Sequence, residues 1–184
     1  MDLLQIKRGL EKAGVEFEKG LSESEIKETE SKHKFHFPPD LKELLKFLLP
    51  ISKNWVNWRN DSEDEIKQRF NWVYKGIYFD IERNVFWLQD WGDKPTDLNE
   101  AFEIARLNIQ KAPKLIPIFS HRYIPERPHL KGNPVFSVHQ TDIIYGDNLE
   151  DYFNNEFHFF FGGGVAKLNK TARRIKFWTD LLDI

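Results

Sequence analysis

The stretch "LSESEIKETESKHKFHFPPDLKELLKFLLP", Leu21 to Pro50, constrains the fold more than any other part of the chain. Ser22 followed three residues later by Glu25 is a capping box, in which each side chain satisfies a backbone amide that the first helical turn leaves without a partner. A short, mostly solvated helix is predicted from there to His33. Phe35 and Phe37 then alternate before a proline pair, and Pro39 suits a first helical turn because its missing amide proton needs no acceptor. Leu41, Leu44, Leu45 and Leu48 follow at i, i+3, i+4 and i+7, which is one stripe of a helix, and Pro50 stops it. A helix with a single leucine stripe must be covered by something else, so the remaining chain has to supply a partner layer.

That layer is predicted to be a sheet. Trp55 and Trp58 sit in a polar loop, and the acidic run from Asp61 to Glu65 opens a short helix that includes Ile66 and Phe70. "GIYFDIERNVFWLQDWG" is rich in β-branched and aromatic residues around Glu82-Arg83-Asn84 and reads as two strands joined by a turn. Asp97 to Lys111 reads as a helix with Asp97 as cap, Glu100 completing a capping box, and Leu98, Ala101, Phe102, Ala105 and Ile109 on one face. "LIPIF", "PVFSV" and "DIIYG" are further strands, Asp147 to Phe157 is helical, Gly162 to Gly164 form a joint, and a last helix aligns Ile175, Trp178, Leu181 and Leu182. With 184 residues the chain fits one core, since single cores serve chains up to roughly 250 residues. The order predicts a single α+β domain, a mostly antiparallel (mixed) sheet with helices packed on one face.

Composition excludes several functions. There is no cysteine, hence no disulfide, thiolate metal site or cysteine nucleophile. The 27 basic and 29 acidic residues give a net charge of −2, which leaves no basic excess for phosphates and argues against direct nucleic-acid binding. The start has no apolar run of signal-peptide length, and no segment approaches the roughly 20 apolar residues of a membrane span, so a soluble cytoplasmic protein is expected. None of the six histidines has metal-ligand spacing, no glycine-rich phosphate loop is present, and neither metal nor cofactor is expected.

The segment Leu115 to Gly146 concentrates polar chemistry. Ser120 and His121, as strand neighbours, should point to opposite faces, whereas Ser137 and His139 share one. Glu126 with Asp142, or Asp142 with Asp147, could form a carboxylate pair, and a small hydrolase using His121 or His139 with Asp142 is one alternative function. No nucleophile elbow accompanies these residues, so no catalytic residue is assigned. Arg122 and Asp142 near the ends of adjacent strands suit a structural brace with paired hydrogen bonds. The other reading sends Arg122, Tyr123, Glu126 and Arg127 into a partner's surface, together with Trp55, Trp58, Trp91 and Asp93. Acidic clusters at Glu16/Glu18, Glu23 to Glu30, Asp61 to Glu65 and Asp147 to Glu156 are solvated faces or complements to a basic partner.

Gly20, Leu21, Glu25, Phe35, Phe37, Pro38, Asp40 and Leu44 resemble the amino-terminal signature of the SUKH superfamily, which includes the yeast Smi/Knr cell-wall regulators. Downstream, "KLIPIF" and "GNPVFSV" resemble that family's "L-x-P-I" and "G-D" strands, so the likeness spans residues 20–145, with 147–184 as a helical extension. Two positions depart from the pattern: Leu49-Pro50-Ile51 replaces the "N-G" that closes the second helix, and Asn133 replaces the acid of "G-D". The resemblance implies one SUKH-like domain over 1–184, a non-enzymatic protein-binding module. Bacterial members act as immunity proteins against polymorphic toxins, often nucleases, so a cognate toxin is the implied partner. A regulatory scaffold for endogenous partners is the implied alternative.

Overall fold

Asp2 caps the first helix by accepting from the Gln5 amide at 3.1 Å, and α1 runs over Leu3–Lys12 with Ile6 and Leu10 buried. The computed structural model describes residues 1–138, 144–157 and 172–182. After β1 (Phe17–Lys19), the capping box predicted at Ser22 forms in full and starts α2 (Glu23–His33). Lys34 then takes a left-handed conformation with φ 55°, and α3 (Pro39–Phe47) begins with its proline in the first turn. Leu48 leaves the predicted helix to open β2 (Leu48–Pro50), which pairs antiparallel with β1.

The next element differs most from expectation. The short helix predicted around Ile66 runs for 20 residues as α4 (Glu63–Glu82), through the segment read as strands. A second capping box, Ser62 with Glu65, nucleates it, and Ile66, Val73, Ile77 and Ile81 continue one buried stripe at helical spacing. Local β preference yields here because packing decides which conformation a β-branched run adopts. "FWLQDW" forms only a 3-10 turn over Gln89–Trp91. In α5 (Leu98–Ile109) Asp97 caps as predicted, accepting from the Asn99 and Glu100 amides, and Ala101, Ala105 and Ile109 are buried, while Leu98 faces solvent.

β3 (Leu115–Phe119), β4 (Arg122–Pro125), β5 (Val135–Ser137) and β6 (Ile144–Gly146) form an antiparallel meander in sequential order, and α6 (Leu149–Phe157) follows. The predicted last helix is replaced by turns and a 3-10 segment, Asp180–Leu182. The Asp180 carboxylate accepts from the Phe177 amide at 2.9 Å and Phe177 has φ 75°, a combination that closes a turn instead of continuing a helix. Ile175, Trp178 and Leu181 are buried all the same. The glycine run at 162–164 lies outside the described residues.

The chain is a single α+β domain with two small antiparallel sheets. Helices cover both faces of the larger one. Ile116, Ile124 and Val135 join the core of α1, α2, α3 and α6, whereas their strand neighbours Leu115, Tyr123 and Phe136 join that of α4, α5 and the chain's end. Alternation along a strand sends successive side chains to opposite faces, so both faces read as apolar.

Residues between Gly20 and Asp40 hold the first of these layers together. Gly20 runs against α3 so closely that a Cβ there would sit 2.1 Å from the Lys46 carbonyl oxygen, and the Leu21 amide donates to Leu45 O at 2.8 Å. Glu30 is buried, accepts from the Phe37 amide at 2.9 Å and pairs with Lys42 at 2.9 Å. Asp40, also buried, accepts from the Gly132 amide at 2.9 Å, with Gly132 at φ 81°. Asn133 beside it is fully buried; its Nδ2 donates to Pro125 O and Pro128 O, and its Oδ1 accepts from Arg173. An amide donates and accepts at once, which an ionised carboxylate cannot do. Gly20→Ala should lower unfolding stability by about 2–3 kcal/mol, as overpacking against backbone does. Urea denaturation checks this, and a midpoint equal to wild type would refute the close approach.

Candidate functional site

The loop from Asn54 to Asp61 sets one wall of the site, and its polar residues serve its own backbone. Asn57 Oδ1 accepts from the amides of Arg59 at 3.2 Å and Asn60 at 3.1 Å, while Asp61 Oδ2 accepts from the Asn57 amide at 3.1 Å. That folding turns both indoles inward. Trp55 is 5% exposed and stacks on Phe157, and Trp58 is 6% exposed and meets Phe37 edge to face. The expectation that they anchor a partner is therefore corrected: both rings are core.

Tyr123 is also withdrawn from the surface. It is 1% exposed, its hydroxyl donates to Arg69 O at 2.7 Å, and burial pushes its hydroxyl well above the ordinary tyrosine range. Arg122 is structural too. Its Nε donates to Glu156 at 2.8 Å and Nη1 to Ser137 Oγ at 2.7 Å, and the guanidinium lies 3.9 Å over the Tyr145 ring. Asp142, the brace partner expected for it, lies outside the described residues, as does His139. Trp91 is half-buried, edge-on to Phe86 and Trp87, and Glu126 is half-buried and accepts from the His36 amide at 2.8 Å. Of the eight residues expected to touch a partner, Asp93 and Arg127 are exposed.

The acidic runs are largely matched within the chain. Arg59 holds both Glu18 at 2.8 Å and Glu25 at 2.5 Å, Lys46 pairs with Glu23, Lys32 with Glu63 at 3.5 Å, and the chain's first amine with Glu150 at 3.5 Å. The helix read as an acidic face toward a basic partner is thus substantially neutralised by its own neighbours.

A cleft of about 370 Å³ opens between this loop, α4 and the β3–β4 turn. Arg69 builds one side by donating to Asn54 O at 3.2 Å and Trp55 O at 2.8 Å, with Asp61 4.0 Å away. Burial pushes the Asp61 carboxyl up, opposed by the Asn57 amide and Arg69. Ser120 builds the other side. Its amide donates to Asn54 O at 2.8 Å, and it holds φ 49°. Ser120 and His121 occupy the turn and not a strand, so the opposite-face expectation does not apply: Ser120 Oγ lies 3.1 Å from His121 Nδ1.

Trp72 stands at the mouth, 45% exposed, with Gln68 and Lys75 one turn away on the same helix. Sequence reasoning missed it by ending the helix near Phe70. Once α4 runs on, Trp72 falls off the buried stripe of Ile66, Val73 and Ile77 and must face outward. Among the described residues no group of three or more His, Asp or Glu is placed to hold a metal ion, and no helix is long and apolar enough to cross a membrane.

No family model, curated protein or solved structure matches this chain. Chemically, the cleft offers an aromatic face, two cationic side chains, two carboxylates and a hydroxyl–imidazole pair, on a loop held by hydrogen bonds.

The loop's anchorage carries a pH dependence. Hydrogen bonds from Arg59, then from Ser22, hold the Glu25 carboxyl at about 2, below its ordinary 4.5. A carboxyl depressed by folding stabilises above its unfolded value, and that contribution disappears as pH falls through the folded one. Glu25→Gln should therefore be less stable than wild type above pH 4.5, with the gap closing toward about pH 2. Chemical denaturation across that range measures it; a pH-independent gap would contradict the pairing.

Proposed function

We propose that this protein is a non-enzymatic binding module of the SUKH type, an immunity protein that acts in the cytoplasm and neutralises a cognate toxin, a nuclease being the favoured class. The observation that carries the reading is the half-exposed Trp72 indole at the mouth of a cleft whose polar walls are already fixed by hydrogen bonds. Tryptophan on a rigid element, ringed by polar groups, is the arrangement in which a few residues supply most of the binding energy. Walls ordered before binding also reduce the entropy lost on association. The motif resemblance from Gly20 to Tyr145 supports the class of partner. The neutralised acidic helix shifts the contact away from a broad charge field and onto the cleft.

Co-expression with the toxin encoded beside its gene should rescue growth and yield a stable complex. Trp72→Ala should weaken that complex by roughly 30-fold, the effect of about 2 kcal/mol at an aromatic anchor, with the free variant still folded by circular dichroism. No complex and no rescue would overturn the proposal.

The Ser120–His121 contact at 3.1 Å favours a second reading, a serine hydrolase. The positive φ of Ser120 is of the kind that accompanies functional turns. A serine-directed fluorophosphonate separates the two. The binding reading expects no adduct on Ser120, whereas an adduct lost in His121→Ala, with ester turnover, would establish the hydrolase.

A further inference from the structure

A second cavity, about 290 Å³, lies on the neighbouring face of α4, between Phe70 and Val73, the end of α5 at Ile109, and Trp178. Its floor is apolar and its rim is cationic. Lys34, Lys114 and Arg127 face a single carboxylate, Glu126, in a protein whose net charge is −2. Glu126 is already engaged by the His36 amide.

Lys114 is the unusual member of this group. Its Nζ donates to His33 O at 2.7 Å and to Lys34 O at 3.4 Å, and it lies 4.4 Å from the centre of the Phe70 ring. All of these partners are neutral. Burial has removed much of its water and pulls its ammonium below the ordinary lysine range, opposed by the charge of Glu126 across the cavity. A half-buried cation with three donors, one held only by a long bond, leaves room for an anionic acceptor.

From this geometry we propose that the cavity binds a small aromatic monocarboxylate, the ring on Phe70 and Trp178 and the carboxylate on Lys114 and Arg127. The size fits one ring with a short acidic arm, because an apolar cavity of about 150 Å³ suffices for benzene. A phosphate would leave the apolar floor unfilled, and a neutral ring would leave three cationic side chains facing the one carboxylate of Glu126. The site is separate from the Trp72 cleft, so it stands whatever partner that cleft binds.

Titration of the isotope-labelled full chain tests it, read at the Trp178 indole resonance. That N–H donates to Pro113 O at 2.6 Å and so forms part of the cavity wall. Phenylacetate should shift the resonance saturably, while phenylacetamide and inorganic phosphate should each bind about tenfold more weakly or not at all, the loss expected for one charged hydrogen bond. Lys114→Met should weaken phenylacetate by a similar factor. Arg127→Gln, at an exposed position, serves if the lysine variant does not fold. Absence of a saturable phenylacetate shift, equal binding of phenylacetamide or phosphate, or undiminished binding by whichever variant folds would overturn the assignment.

Discussion

Arg122 brings four elements to one buried charge. From β4 it reaches Ser137 on β5 and Glu156 on α6 while lying over Tyr145 of β6, with its side chain 9% exposed. A guanidinium at that depth persists because its partners replace the water it lost, and removing one partner of such a pair costs about 3–5 kcal/mol. The consequences extend beyond the sheet. Pairing with Glu156 holds α6 across the meander, α6 presents Phe157 to stack on Trp55, and the Trp55 carbonyl accepts from Arg69 in the wall of the cleft. The cleft thus rests on the far side of the sheet through one continuous series of contacts.

Local signals in the sequence were reliable where a short-range hydrogen bond decides the conformation. Ser22 with Glu25 and Asp97 mark helix starts that the structure reproduces, because each cap involves residues within one turn, and Pro39 marks a third through the fixed φ of its ring. The α+β class and the strands at Leu115–Phe119 and Val135–Ser137 were legible from apolar runs between proline and glycine. Positions decided by distant packing were not. The second half of α4 resembles strand sequence and becomes helix because Val73, Ile77 and Ile81 have a second core to enter. Arg122 shows the same limit for the site: its partner Glu156 is 34 residues away, a pairing no local pattern announces. Trp55 and Trp58 have polar neighbours and yet are buried, since those neighbours turn their side chains to the loop's own amides.

The same distinction bears on function. Charge counts along α2 suggested an acidic surface, but Lys46 and Arg59 come from later elements and cancel it. What faces outward is an aromatic residue that lies off the helix stripe, beside side chains already fixed in place. A surface of that kind favours recognition with little rearrangement. Ser120 and His121 meet beside it because the turn that carries them is shaped by the bond from the Ser120 amide to Asn54.

Hydrogen exchange on the free protein and on its complex with the proposed toxin partner tests this account most directly. A binding module whose surface is the preformed cleft predicts slowed amide exchange at Asn54 to Asp61, Gln68 to Lys75 and Phe119 to Tyr123, and little change elsewhere. Protection centred on α2 or α5, with α4 and the β3–β4 turn unaffected, would contradict it.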